Sequence, residues 1–307
     1  MRPMLATRAD HVPTGAEWTH EVKWDGMRVL VTTGGPKARF VSRNDNDVSV
    51  SFPELHRIGE GRDLLLDGEV VAFRDGRPSF AALAERMHVS QAVRAAALAE
   101  VTPVTLLLFD VLRVDGRDLT REPLVERRRI LESLGLEDVH WQVPAAYDDG
   151  PMLLQATDEQ GLEGIVSKRL SSRYEPGIRS KHWLKFPHRR RTSWVIGGWR
   201  PETDSTHRLG AVLVGRPTAE GLLYMGRVGS GIAGKVGPML LEQLTPRETS
   251  PFVDEVPRLD ALGTRWVEPL LVIDVESLGL SGQGRLRQPS YRGLRPDLTP
   301  ADLEAQS

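Results

Sequence analysis

Trp18-Thr19-His20-Glu21-Val22-Lys23-Trp24-Asp25-Gly26-Met27-Arg28-Val29-Leu30-Val31 decides how the rest of the chain is read. Apolar-alternating runs flank Lys23-Trp24-Asp25-Gly26 on both sides, so the lysine falls between two predicted strands. An amine in that position can be held against a phosphate. Composition sharpens the point. Of 40 basic residues only six are Lys (Lys23, Lys37, Lys168, Lys181, Lys185 and Lys235), leaving 34 Arg. Guanidinium does not deprotonate in proteins, whereas an ammonium becomes a nucleophile once its surroundings favour the neutral amine. Surface lysines before Asp-Gly turns are common, so these four residues need support from elsewhere in the chain.

That support is an ordered string of short motifs: Ser42-Arg43-Asn44, Leu66-Asp67-Gly68-Glu69-Val70-Val71, Leu107-Leu108-Phe109-Asp110-Val111, Glu163-Gly164-Ile165-Val166-Ser167-Lys168 and Trp183-Leu184-Lys185-Phe186. Together, and in this order, they resemble the motif series of the covalent nucleotidyltransferases. Their spacing and the C-terminal half are most similar to ATP-dependent DNA ligases, in particular the bacterial ligases associated with non-homologous end joining. The resemblance runs from Met4 to Asp297, nearly the whole chain.

At 307 residues the chain is long enough for two domains, each with its own core. Hydrophobic content of 40% and charged content of 27% are those of an ordinary globular protein. No apolar run is long enough to cross a bilayer, and Met1-Arg2-Pro3-Met4-Leu5-Ala6-Thr7 lacks the core of a signal peptide. The absence of cysteine excludes disulfides and Cys-based zinc sites. The expected setting is the bacterial cytoplasm, without membrane contact, as a monomer. A net charge of -2 argues mildly against a nucleic-acid binder, but distribution matters more than the sum. Residues 179–191 carry six Lys or Arg and no acid, and residues 285–295 carry four Arg and no acid. The first run adjoins a motif and is read as a phosphate-contacting face. Arg127-Arg128-Arg129, between Glu126 and Glu132 on a predicted helix, is read as solvated surface.

Strands are predicted at 18–24, 27–33, 38–43, 64–73, 104–113, 163–169 and 182–186, and helices at 79–88, 90–100, 121–134 (with Thr120 as N-cap) and 150–160. Strands outnumber crossovers, so the sheets should be largely antiparallel. Beyond Arg191 the texture changes to short strands punctuated by Gly and Pro, at 193–199, 209–215, 222–228 and 265–276, with a helix near 235–244. Five or so short strands and one helix fit a small Greek-key barrel. The resulting fold class is α+β: an antiparallel-sheet nucleotidyltransferase (adenylation) domain over 1–188, followed by an all-β OB-fold domain over 189–307, as the ligase resemblance implies.

The chemistry expected of such a chain is phosphoryl transfer in three steps, in which positioning and charge neutralisation carry most of the catalysis. Lys23 is the nucleophile on ATP, forming a lysyl-AMP adduct, and Asp25 orients it or touches a metal. Glu69 and Glu163, on separate predicted strands, are the candidate contacts for Mg²⁺ or Mn²⁺ and for ribose, because hard cations take oxygen ligands. The resemblance further implies that Phe109 stacks on adenine with Val166 on the other face and that Glu21 meets the adenine amine. It also implies that Arg28 and Arg43 contact ribose and phosphate, that Lys168 and Lys185 face the α-phosphate, and that Arg179 assists. Val22 completes the expected nucleotide contacts.

Two positions depart from the family pattern. Pro187 stands where a second lysine commonly follows Lys185-Phe186, and Leu298 stands where the C-terminal motif Arg295-Pro296-Asp297 commonly ends in lysine. That lysine ordinarily orients the pyrophosphate leaving group, so Arg292 or Arg295 is expected to compensate. The resemblance implies a barrel domain swinging on a hinge at 186–192, duplex DNA with nicks or broken ends as substrate, and Ku as a tethering partner. With no DNA-encircling domain ahead of residue 1, the hold on a nick is expected to be modest and salt-sensitive. An RNA ligase or capping guanylyltransferase shares the lysine-adduct chemistry, and a non-catalytic OB-fold nucleic-acid binder is the alternative of a different class. Trp194 to Glu202 favours the bacterial end-joining ligases over capping enzymes, and intact Lys23, Glu69, Glu163 and Lys185 speak against a degenerate site.

Overall fold

The computed structural model describes residues 1–304. They gather into two compact units, one from Met1 to His188 and one from Arg189 onward. In chain order the first contains β1 (Leu5–Arg8), β2 (Trp18–Val22), β3 (Met27–Thr32), β4 (Arg39–Ser42), β5 (Leu64–Arg74), β6 (Arg77–Pro78), α1 (Phe80–Ala84), α2 (Ala92–Val101), β7 (Val104–Val114) and β8 (Arg117–Asp118). It continues with α3 (Leu124–Ser133), β9 (Trp141–Gln142), α4 (Gly150–Glu159), β10 (Gly164–Arg169) and β11 (Arg179–Pro187).

Two sheets result. The larger runs β4-β3-β5-β7-β8, with β6 on β5 and β9 on β7; the smaller runs β1-β11-β10-β2. Pairing is antiparallel except for β1 with β11 and β7 with β9. Strand alternation sorts the larger sheet into two faces. Met27, Val29 and Val31 join Leu66, Val70, Leu106 and Leu108 in the main core, under Leu83 of α1 and Leu131 of α3. Arg28, between them in sequence, belongs to the other face and is left for the site described below.

Two readings of the helices need correction. The helix expected at 121–134 starts three residues later, and Pro123, with no side-chain cap, occupies the N-cap in place of Thr120. Arg127 and Arg128 are not a solvated face. Arg127 is fully buried in a two-pronged pair with Asp110, at 2.8 Å on both prongs, and only Arg129, paired with Glu126, is exposed as expected. Charge spacing alone could not separate them, because the acids flanking the run in sequence are not the acid that binds Arg127 in space.

The second unit comprises β12 (Arg190–Pro201), β13 (Leu209–Thr218), β14 (Gly221–Val228), α5 (Val236–Leu241), α6 (Arg258–Ala261), β15 (Arg265–Trp266), β16 (Val272–Ser277), β17 (Ser290–Leu294) and α7 (Pro300–Glu304). The sheet order is β14-β13-β12-β16-β17, with β15 on β12, and a parallel bridge between Ser230 and Ser290 ties the two ends together. This is a closed OB-type barrel around Ile196, Val212, Val214, Ile273 and Val275. Closure requires the long first strand to bend, and the register of β12 against β13 slips between Ile196 and Gly198, as a bulge does. The single strand expected at 265–276 is two strands, because the turn at Pro269 and Leu270 interrupts the ladder. The ending β17 and α7 were not foreseen. Leu298 packs against the apolar cluster containing Phe252 and Leu303, which explains a hydrophobic residue at that position. Arg292 is engaged by Glu276 at 2.9 Å, and Arg295 by Asp297 at 2.7 Å and Asp274 at 3.2 Å.

Candidate active site

In the smaller sheet of the first unit, cross-strand pairing aligns Glu21 of β2 with Val166 of β10, and Val166 with Lys185 of β11. The next row on the same face pairs Thr19 with Lys168 and Lys168 with Trp183. Alternation therefore presents Glu21, Val166, Lys168, Trp183 and Lys185 on one side. All five line an open cavity of about 190 Å³, whose other walls come from Arg28, Glu69 and Phe109 of the larger sheet. The back of the smaller sheet is occupied differently: His20 Nδ1 and Ser167 Oγ share a buried hydrogen bond of 2.8 Å.

Lys23 follows β2 directly. Its backbone N–H donates to the Gly164 carbonyl at 2.8 Å, and its Nζ donates to Glu163 Oε2 at 2.6 Å. Gly164 makes this possible: its φ is +134°, and a Cβ there would run into the Phe186 carbonyl. Gly26 has a similar task, since a Cβ would strike the Val70 carbonyl and lie 2.8 Å from Glu69 Cγ. The glycine lets the turn after Lys23 press against β5, beside Glu69.

Arg28 and Glu69 face each other across β3 and β5. Arg28 is clamped by Asp67, with Nε to Oδ1 at 2.9 Å and Nη2 to Oδ2 at 2.6 Å, while the Tyr174 hydroxyl donates to the same Oδ2 at 2.5 Å. Burial works against the guanidinium charge, yet Asp67 outweighs it and raises the Arg28 pKa. Glu69 has no such partner. Burial, reinforced by Glu163 and Asp67 and opposed by Lys23 and Arg28, pushes its carboxyl up to about 8.

Phe109 reaches the cavity through a defect in the ladder. The register of β5 against β7 slips so that Asp67 faces Asp110 while Gly68 faces Leu108, leaving Phe109 as the extra residue of a bulge. Its ring sits edge-on to Trp183 at 6.2 Å, with Lys168 Nζ 4.3 Å and the Arg28 guanidinium 5.2 Å from its centroid.

The two lysines expected to act together both line the cavity but have different neighbours. Lys185 shares its end of the cavity with Lys23, Arg179 and Arg43: burial, then Lys23 and Arg179, lower its pKa, and Glu163 opposes them. Lys168 is pinned elsewhere, donating to Glu21 Oε2 at 2.6 Å, and its pKa falls through burial despite Glu21 and Asp110. The cavity thus combines cations with rings: Lys23, Lys185, Arg43 and Arg179 line it together with Phe109, Trp183 and Val166, and Lys168 and Arg28 lie over the rings. Such an arrangement suits a nucleotide, phosphates toward the cations and base toward the rings.

Of the remaining expected residues, Val22, Arg43 and Arg179 line the cavity, and Arg179 Nη1 also donates to the Ala6 carbonyl at 2.7 Å. Asp25 lies in the turn, and Glu163 precedes β10; neither lines the cavity, although Glu163 reaches it through Lys23. Sequence reasoning gave no role to Leu5, Ala6, Trp24 or Trp183 in the walls, or to Asp67 and Tyr174 behind Arg28. Asp67 was within a quoted motif; Tyr174 and the β1 residues carry no local signal, because long-range pairing alone brings them in.

Among the described residues no group of three or more His, Asp or Glu is placed to hold a metal. Two carboxylates nonetheless fit Mg²⁺, which keeps waters and takes substrate phosphate oxygens as further ligands. The raised pKa of Glu69 beside Glu163 is the strain a divalent cation would relieve. This sets a pH expectation. A carboxyl raised from 4.5 to about 8 contributes stability that is full below the lower value and is lost as pH rises through the upper one. In chelator, the unfolding temperature of the wild type should therefore fall, relative to Glu69→Gln, between those values, and excess Mg²⁺ should reverse the fall. Calorimetry giving parallel curves for the two proteins would contradict this.

A lysine among further cations in a cavity between two mainly antiparallel sheets, with a barrel unit following in the chain, is the arrangement of a covalent nucleotidyltransferase. Residues 3–186 match the ATP dependent DNA ligase domain, and residues 205–298 match the ATP dependent DNA ligase C terminal region. The chain belongs to the ATP-dependent DNA ligase family. It is 37% identical to the multifunctional non-homologous end joining protein LigD of Mycolicibacterium smegmatis over 98% of this chain, but spans only 39% of that relative's length. DNA ligase C1 of the same organism is 33% identical over 98% of this chain and 91% of its own. A solved structure of mycobacterial DNA ligase D complexed with ATP and MES is 35% identical, covers 98% of this chain and 97% of its own, and superposes with a TM-score of 0.58.

Proposed function

We propose that this ATP-dependent DNA ligase seals 5′-phosphate/3′-hydroxyl breaks in duplex DNA through an AMP adduct on Lys23, in the service of end joining. The observation that carries the reading is that Lys23, bound to Glu163, lines one cavity with Lys185, Arg43, Arg179 and the Phe109 ring. In the first step the amine forms a P–N bond to the α-phosphorus of ATP as the bond to pyrophosphate breaks. Glu163, 2.6 Å away, is the base nearest the departing proton. Lys185, Arg43 and Arg179 offset the charge that gathers on the α-phosphate. Adenine lies between Phe109 and Val166 with Glu21 at its amino edge. Arg28, immobilised by Asp67 and Tyr174, meets the ribose side. Glu69 and Glu163 are the residues that would hold Mg²⁺ or Mn²⁺, and the ion would supply charge neutralisation on the phosphates. AMP then passes to a DNA 5′-phosphate, and the 3′-hydroxyl displaces it.

The domain boundary falls at His188 and Arg189, the two residues between β11 and β12, and relative motion of the two units is expected to pivot there. Ku as a tethering partner is proposed on the end-joining relatives' account. The test is sealing of a nicked duplex with ATP or GTP, on all-DNA and all-RNA substrates, with and without Ku. ATP-dependent DNA sealing stimulated by Ku on broken ends supports the reading. GTP use, or sealing confined to RNA, overturns it.

A further inference from the structure

We infer that Arg128 of α3, outside every expected site residue, is a positioning residue that sets the choice of ATP over GTP by fixing the carboxylate of Glu21. The inference rests on the proposed placement of adenine with its amine at Glu21. Glu21 is 7% exposed, and its Oε2 accepts from Lys168 Nζ at 2.6 Å. Its other oxygen, Oε1, is buried without a hydrogen-bond partner, and so is Arg128 Nη1, 3.7 Å away. The rest of the guanidinium is tied down: Nε donates to Glu132 Oε1 at 2.6 Å, and Nη2 donates to the Pro144 carbonyl. Only the Nη1 group remains, and it is turned toward Glu21.

Two cations on one desolvated carboxylate, Lys168 on one oxygen and Arg128 beside the other, hold it in a single orientation. An ionised carboxylate only accepts hydrogen bonds. The exocyclic amine of adenine donates, so it is matched. Guanine presents a carbonyl at the same place, and two acceptors facing one another in a dry site are rejected. A Glu21 free to rotate would turn its oxygens away from that edge, and discrimination would weaken. Arg128 thus acts through Glu21 without touching the nucleotide. The unmade hydrogen bond across 3.7 Å marks a contact that a sub-ångström shift on nucleotide binding would complete.

The test uses the full chain and measures single-turnover adduct formation with ATP, GTP and purine riboside triphosphate, which lacks the 6-amino group. Wild type should prefer ATP to the purine analogue. Arg128→Met should shrink that preference by about tenfold, chiefly by weakening ATP, and raise GTP use relative to ATP. Arg128→Lys, which keeps a charge near Glu21, should recover part of the preference. If Arg128→Met does not fold, Arg128→Gln is read in its place. A preference unchanged in the variants, or an equal loss with all three nucleotides, overturns the inference while leaving the site reading intact. A wild type that does not distinguish ATP from the purine analogue overturns the adenine placement, and the inference with it.

Discussion

Replacement of Lys23 by arginine is expected to abolish the covalent nucleotide adduct and ATP-dependent sealing, while sparing closure of a nick that already carries a 5′-adenylate. Arginine retains the positive charge and can still reach Glu163, but it offers no neutral amine at any working pH. Loss of a nucleophile costs at least about 10³-fold in turnover, well beyond what a misplaced binding contact removes. The final displacement by a 3′-hydroxyl uses no lysine nucleophile, so a pre-adenylated substrate isolates the defect. Assaying the variant on both substrates checks this. Equal loss on the two would show that Lys23 acts by holding the site together.

The second large effect is on stability. Asp110→Ala removes the partner of Arg127, both fully buried, and leaves a guanidinium bound only to the Glu122 and Ser172 carbonyls, at 2.6 and 3.0 Å. Breaking one side of a buried pair costs about 3–5 kcal/mol. For a unit of this size that corresponds to a fall of roughly 10 °C in unfolding temperature. Arg129→Ala, which breaks an exposed pair with Glu126 on the same helix, should leave stability nearly unchanged. Thermal melts of the two variants side by side test the contrast, and similar melts would contradict the burial argument.

These two positions also show what the sequence carried and what it did not. Lys23, Glu69, Phe109, Val166 and Lys185 were legible because each sits in a short motif whose order along the chain reflects one assembled site. The apolar runs predicted β2 to β5, β7, β10 and β11 but not the short β1, β6, β8 and β9, which long-range or hairpin pairing brings into the sheets. The fate of Arg127 was not legible. Its burial depends on Asp110, 17 residues earlier, and three successive arginines look alike until a helix is docked on a sheet. The partners of Lys168 were not legible for a related reason: its motif placed it with Lys185 in the cavity, but the pairing of β2 with β10 that sets it against Glu21 is long-range. The break in the strand at 265–276 and the bulge that frees Phe109 are properties of strand pairing, which no local pattern records.

Mapping the adduct tests the central claim most directly. The protein would first be treated with pyrophosphate to strip any AMP already attached, then incubated with α-labelled ATP and Mg²⁺, denatured, digested and sequenced by mass. The account predicts a single acid-labile AMP on Lys23. Label on Lys168, Lys185 or any other residue, or efficient sealing by protein that carries no label at Lys23, would contradict it.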